Sequence, residues 1–303
     1  MPWGKTAIAR AAALIAEGQP VAIPTETVYG LAARADSGEA VARIYAAKGR
    51  PSFNPLIIHV ASMEQAEQIA HFDDTARDLA ARFWPGPLTL VLPLREGAPI
   101  ASLATAGLDT IALRMPAHPA MHALLEATGL PLAAPSANAS GGISPTRAEH
   151  VLASLGGRIP LIVDAGPTGL GLESTIVRVK DGALEILRPG PVTPEMLGLP
   201  VRFTTDDAII APGQLASHYA PSKPLRLNAT SAGPGEWLIG FGTVAGNSSL
   251  SPSGDLAEAA TRLFDLLHQA DATTFSKISV APIPNHGLGL AINDRLTRAA
   301  APR

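Results

Sequence analysis

The chain has 303 residues, 47% hydrophobic, 16% charged and 4% aromatic, a globular profile with room for two domains. Its net charge of −3 and pI near 6.2 exclude a general nucleic-acid coat, which needs a basic face, but leave room for a local basic pocket. The absence of cysteine excludes a disulfide framework, a thiol nucleophile and a thiolate metal site, and no run has signal-peptide layout or membrane-spanning length, so a cytoplasmic location is expected.

Apolar periodicity predicts a helix over 6–17 and a buried strand in "PVAIPT" (20–25). "IPTETVYGLAARA" (23–35) reads as a strand, a turn and then a helix. Thr25, Glu26 and Thr27 lie at that strand end, placed either to cap the helix or to face a ligand. A helix is expected over 38–48, a strand in "PLIIHV" (55–60) and one helix over 63–83. "LTLVLPL" (88–94) and "TIALRMP" (110–116) are strands, and 118–128 is a helix closed by Gly129. "LPLAAPSAN" and "PLIVDAG" are strand-to-loop passages, and "STIVRVKDGALEILRPG" (174–190) is a hairpin turning at Asp181-Gly182. Hairpins within an alternating pattern imply a mixed sheet flanked by helices.

Residues 201–222 have little periodicity and read as a linker between a domain at 1–200 and a small α/β domain at 223–303. In the latter, "PLRL", "EWLIGFG" and "ATTFSKISVAPIP" alternate with helices at 255–270 and 287–300. The strand, Gly-rich turn and helix of "KISVAPIPNHGLGLAINDRLTRAA" follow a Rossmann-like plan without the full G-x-G-x-x-G spacing.

No Walker loop, H-E-x-x-H or G-x-S-x-G occurs. "KGRPSFNP" (48–55) is more informative. Lys48 and Arg50 stand in a proline-bracketed loop with no acid between Ile44 and Val60. Arg50 offers a planar fork for phosphate and Lys48 a compact charge. Arg114 and Arg188 end strands, and "APSANASGGISPT" (134–146) is a hydroxyl-rich, uncharged loop that lets a backbone approach a ligand. Four cations converging with few acids would favour a polyanion such as a nucleoside triphosphate.

In order, "PTETVYGL", "KGRPSFNPLIIHV", "FWPGPLTLVLP", "LRMPAHP", "APSANASG", "STIV", "LRPG", "HYAP" and "GLGLAINDRL" resemble the YrdC-like family, and within it the long, two-domain threonylcarbamoyl-AMP synthases. The resemblance implies a nucleotidyltransferase that condenses L-threonine, bicarbonate and ATP into L-threonylcarbamoyl-AMP and releases pyrophosphate. It also implies a twisted, mixed α/β sheet with a large basic cavity. A downstream transferase complex would pass the product to A37 of tRNAs reading ANN codons. By resemblance, a Lys-x-Arg…Ser-x-Asn set falls on Lys48, Arg50, Ser136 and Asn138, with Lys48 and Arg50 catalytic. Arg50, Asn54, Thr110, Ser136, Asn138, Ser144 and Arg188 would hold ATP. Thr27, His59, Arg114, Ser174 and the backbone near Ala134 would hold threonine. The linker's His218-Tyr219-Ala220-Pro221 would fold over the cavity, with Tyr219 on the nucleotide. Mg²⁺ would come with ATP, held by phosphate oxygens and water rather than by a dedicated protein site. The rival reading is a YrdC-like module that grips RNA through its basic cavity without turnover, which the acidic pI and sparse aromatics disfavour.

Overall fold

The structure is a computed structural model that describes residues 1–51, 53–180, 183–203, 211 and 217–302. The elements run α1 Lys5–Ala16, β1 Val21–Pro24, β2 Tyr29–Arg34, α2 Gly38–Lys48, β3 Ile57–His59, α3 Met63–Ile69, α4 Asp74–Phe83, β4 Leu88–Pro93. They continue with α5 Ser102–Thr105, β5 Thr110–Arg114, α6 Pro119–Thr128, β6 Leu132–Ala133, α7 Ala148–Leu155, β7 Leu161–Ile162, β8 Thr175–Lys180, β9 Ala183–Arg188, α8 Pro194–Leu197 and β10 Val201–Phe203. These strands form one mixed ten-stranded sheet in the order β10-β9-β8-β4-β5-β3-β6-β2-β1-β7. A second sheet is four-stranded and parallel, built from β11 Leu225–Arg226, β12 Glu236–Gly240, β13 Ser248–Ser249 and β14 Lys277–Val280 in the order β11-β14-β12-β13. It packs with α9 Leu256–Asp271 and α10 Leu288–Ala300.

Two expectations are corrected. Residues 29–34 form a strand, not a helix. β2 pairs antiparallel with β1 and β6, and Tyr29 and Leu31 donate their amides to Pro145 and Pro135 carbonyls. Pairing on both edges outweighs the helix preference of "GLAARA", because propensity is a weak prior against satisfied backbone ladders. Thr25 closes the intervening turn instead of capping a helix. Its hydroxyl accepts from the Thr27 and Val28 amides at 3.2 Å and donates to the Val28 carbonyl at 2.7 Å.

The stretch 63–83 is two helices. Ala70 turns extended, the His71 amide donates to Pro93, and Asp73 caps α4 by accepting from Ala76 at 2.7 Å. The other expected helices fall within a residue or two of those observed, while α5, α7, α8 and β13 had no expected counterpart and the strand in 272–284 is confined to Lys277–Val280. Gly129 closes α6 in the left-handed region at φ 65°. The linker opens as a strand, with β10 parallel to β9. The hairpin turn at Asp181-Gly182 lies outside the described residues, although β8 and β9 pair antiparallel as a hairpin requires.

The large sheet has apolar clusters on its faces, while a further cluster joins the small sheet and α9 and α10 to Val28, Ile143, Leu172 and Tyr219. The two sheets therefore share one core at their seam. Gly171 shows how close they come. At φ +73°, a Cβ there would stand 2.5 Å from the Thr261 Cα and carbonyl oxygen of α9.

Candidate active site

The parallel pair β3 and β5 end together, with His59 opposite Arg114. The β1–β2 turn, the loop after β6, the start of β8 and the end of β9 meet at the same place. There they enclose a cavity lined by Thr25, Thr27, Arg50, Ile57, His59, Arg114, Ala134, Ser136, Glu173, Ser174, Arg188, His218 and Tyr219, among others. Its free space is about 40 Å³. That is far below the roughly 300–1,000 Å³ of a small-molecule pocket. His218 and Tyr219, from the linker, are among its lining residues. Tyr219 is fully buried at a left-handed φ of 62°, pinned by its neighbour Ala220, whose amide donates to Gly141 at 2.8 Å. The expected large basic cavity is thus basic but small in this structure.

One wall suits a small amino acid. Arg114 donates to Glu26 Oε1 at 2.6 Å, Thr27 Oγ1 at 3.0 Å and the Gly86 carbonyl at 3.1 Å. Glu26 also accepts from the Ala117 amide. His59 is buried with neither ring nitrogen hydrogen-bonded. Burial, then the nearby Arg114 charge, pushes its pKa down to about 3, so it presents a neutral imidazole. Ser174 Oγ lies 2.7 Å from Thr89 Oγ1, and the Ala134 amide donates to Ile57 within the sheet.

The adjoining wall suits an anion. Arg50 donates to the carbonyls of Asn54 and Pro55, and Arg188 to the carbonyl and hydroxyl of Ser174. The β8–β9 register shifts between Ile176 and Val177, so that Arg188 pairs with Ile176 and Ile186 with Val177. Lys48 ends α2, where Gly49 turns left-handed, and its ammonium donates to the carbonyls of Ser136 and Asn138 (2.6 Å for the latter). Among the described residues, none of these three cations forms an ion pair. Burial drives the Lys48 pKa well below its usual value, with the Arg50 charge adding to it, and takes Arg50 down to about 10. Cations held by neutral oxygens in a dry cavity are a destabilising arrangement that an anion would relieve.

The expected residues do not all line this cavity. Lys48, Asn54, Asn138 and Ser144 are buried just behind it. Lys48 braces the Ser136–Asn138 loop, and Asn54 and Asn138 each leave a side-chain oxygen without a partner. Ser144 Oγ donates to Glu173. Thr110 shares the Arg114 face of β5 but begins the strand, four residues or ~13 Å away. Sequence reading missed Glu173 and Arg295 as site elements. Arg295 had a signal, because it falls on the apolar stripe of α10 with Ala291, Ile292, Leu296 and Ala299.

The Sua5/YciO/YrdC profile, described as "Telomere recombination", matches residues 13–190. This chain belongs to that family. A second Sua5 profile, "Threonylcarbamoyl-AMP synthase, C-terminal domain", matches residues 185–301, so the chain is a long, two-domain Sua5 member. A threonylcarbamoyl-AMP synthase of Bacillus subtilis is 42% identical over 98% of this chain and 93% of its own. That of Pyrococcus abyssi is 41% identical, over 97% and 94%. The crystal structure of P. abyssi Sua5 complexed with L-threonine superposes with a TM-score of 0.89 at 40% identity, covering 97% of this chain and 94% of that one. Among the described residues of the present chain, no helix is long and apolar enough to cross a membrane.

Proposed function

We propose that the chain is a nucleotidyltransferase that condenses L-threonine, bicarbonate and ATP to L-threonylcarbamoyl-AMP and pyrophosphate. The observation that carries this reading is the pairing of two walls in one cavity. One bears buried Arg50 and Arg188, hydrogen-bonded among the described residues to neutral oxygens, and the other bears Arg114, Thr27 and neutral His59. The threonine carboxylate takes the Arg114 fork, either displacing Glu26 or binding beside it. The deprotonated amine attacks bicarbonate to give an N-carboxylate with loss of water. A carbamate oxygen then attacks the α-phosphorus, the bond from the α-phosphorus to the bridging oxygen breaks, and pyrophosphate leaves with that electron pair. Negative charge moves onto phosphate oxygens throughout, so preorganised donors supply the catalysis and no covalent nucleophile is required.

Arg50, Arg188, Ser136, Asn138, Asn54 and Lys48 are assigned to the nucleotide, with Ser144 supporting their loop and Thr110 at its far edge. Tyr219 and His218 hold the nucleotide's place in the free protein and must swing aside to admit it. The two carboxylates nearest the site, Glu26 and Glu173, are engaged by Arg114 and Arg295. Mg²⁺ brought with ATP would therefore be held by phosphate oxygens and water rather than by these carboxylates, and would supply charge neutralisation for the departing pyrophosphate. The product passes to a threonylcarbamoyl transferase complex that modifies A37 of tRNA.

Pyrophosphate release that requires both L-threonine and bicarbonate is the expected result. RNA binding with a steep salt slope and no such release would instead favour a binding module.

A further inference from the structure

Glu173 is the one carboxylate among the described residues that line the cavity. A buried carboxylate is the wrong sign for a site that takes a triphosphate, and it stands near Arg188, a cation assigned to that ligand. Left alone, Glu173 would draw Arg188 into an ion pair and repel the phosphates.

The small domain supplies the answer. Arg295 of α10 is fully buried and donates through Nε to Glu173 Oε2 at 2.7 Å. Its Nη1 donates to the Pro189 carbonyl at 2.9 Å, beside Arg188, and to Asp294 at 2.7 Å. Its guanidinium carbon lies 5.1 Å from the centre of the Tyr219 ring. The other Glu173 oxygen accepts from Ser144, and the Ser144 carbonyl faces His268 Nε2 of α9 at 3.2 Å. The Arg298 carbonyl of α10 accepts the His218 amide at 3.2 Å. Burial alone would raise the Glu173 carboxyl, yet the Arg295 charge, then that of Arg188, holds it below the usual carboxylate range.

We infer that Arg295 is a positioning residue for the nucleotide. It neutralises Glu173 so that Arg188 stays free for phosphate, and through Glu173 it sets the Ser144 loop from the small domain. This rests on the assignment of Arg188 and its neighbours to ATP. A plain domain staple would also bury such an ion pair, so the test must read charge and not only stability.

Three variants of the full chain separate the two. In Arg295→Met, ATP affinity by calorimetry is expected to fall about tenfold or more, with threonine affinity little changed. Arg295→Lys keeps the charge and should retain most of that affinity. The double variant Glu173→Gln/Arg295→Met removes both charges, and its ATP affinity should return to within about threefold of the unaltered chain. Thermal melting and the fitted binding stoichiometry report how much of each variant is folded. Unchanged ATP affinity in folded Arg295→Met, or a double variant no better than the single one, would overturn the inference. Should the unaltered chain bind ATP but release no pyrophosphate with threonine and bicarbonate, the proposed reaction fails while the Arg295 result stands.

Discussion

Replacing Lys48 with Met separates a cation kept for a ligand from one kept for the fold. The residue is 3% exposed, and among the described residues its ammonium hydrogen-bonds two carbonyls. Those charge-assisted hydrogen bonds contribute about 1.5–3 kcal/mol each. Burying the ammonium costs several kcal/mol in the opposite direction, which is why its pKa is driven well below the usual lysine value. The two terms nearly cancel, so Lys48→Met should change folding stability by no more than about 2 kcal/mol. On the nucleotide assignment proposed above, the ammonium exchanges these carbonyls for phosphate in the loaded site, so the reaction loses a donor worth about 3–4 kcal/mol, or 10²–10³ in rate. Threonine-dependent pyrophosphate release at saturating substrates measures the second quantity, and urea unfolding the first. A variant that unfolds far more easily yet turns over normally while folded would refute the reasoning and make Lys48 a structural brace.

Arg114→Gln should raise the threonine KM about a hundredfold while leaving ATP affinity near normal, because it removes a charged partner for a carboxylate. A parallel loss in ATP affinity would count against the two-wall assignment. His59 is held neutral, with a folded pKa of about 3 against 6.5 for the free imidazole. The unfolded chain therefore binds the extra proton between those values. The contribution of His59 is complete above pH 6.5 and is lost as pH falls toward 3, at about 1.4 kcal/mol per pH unit. Urea unfolding from pH 7 to 4 should show that slope, flattened in His59→Gln. Gly171→Ala places a Cβ against α9 at a left-handed φ. It should cost about 3 kcal/mol, seen as a lower melting temperature, and a neutral result would mean that the seam opens freely.

Much of the site was legible in the residues because its chemistry is local. A basic pair in a proline-bracketed loop with no neighbouring acid, an arginine ending an apolar strand and a hydroxyl-rich, charge-free loop each announce a ligand through composition. Most helices and strands were legible too, since α2, α6, α9 and α10 carry their periodicity and α2, α6 and α9 also carry clear end signals. Tertiary structure alone decided the rest. The alanine-rich 29–34 run became a strand because partners on both sides satisfy its backbone, and those partners are distant in sequence. The helix expected over 63–83 broke where a contact with β4's end claimed the His71 amide. Arg295 and Glu173 are 122 positions apart, so neither the neutralisation of the one acid in the cavity nor the burial of Tyr219 in its lining has any trace in local pattern. Short-range periodicity reports what a segment buries. Which buried charges meet is set by how the two sheets dock.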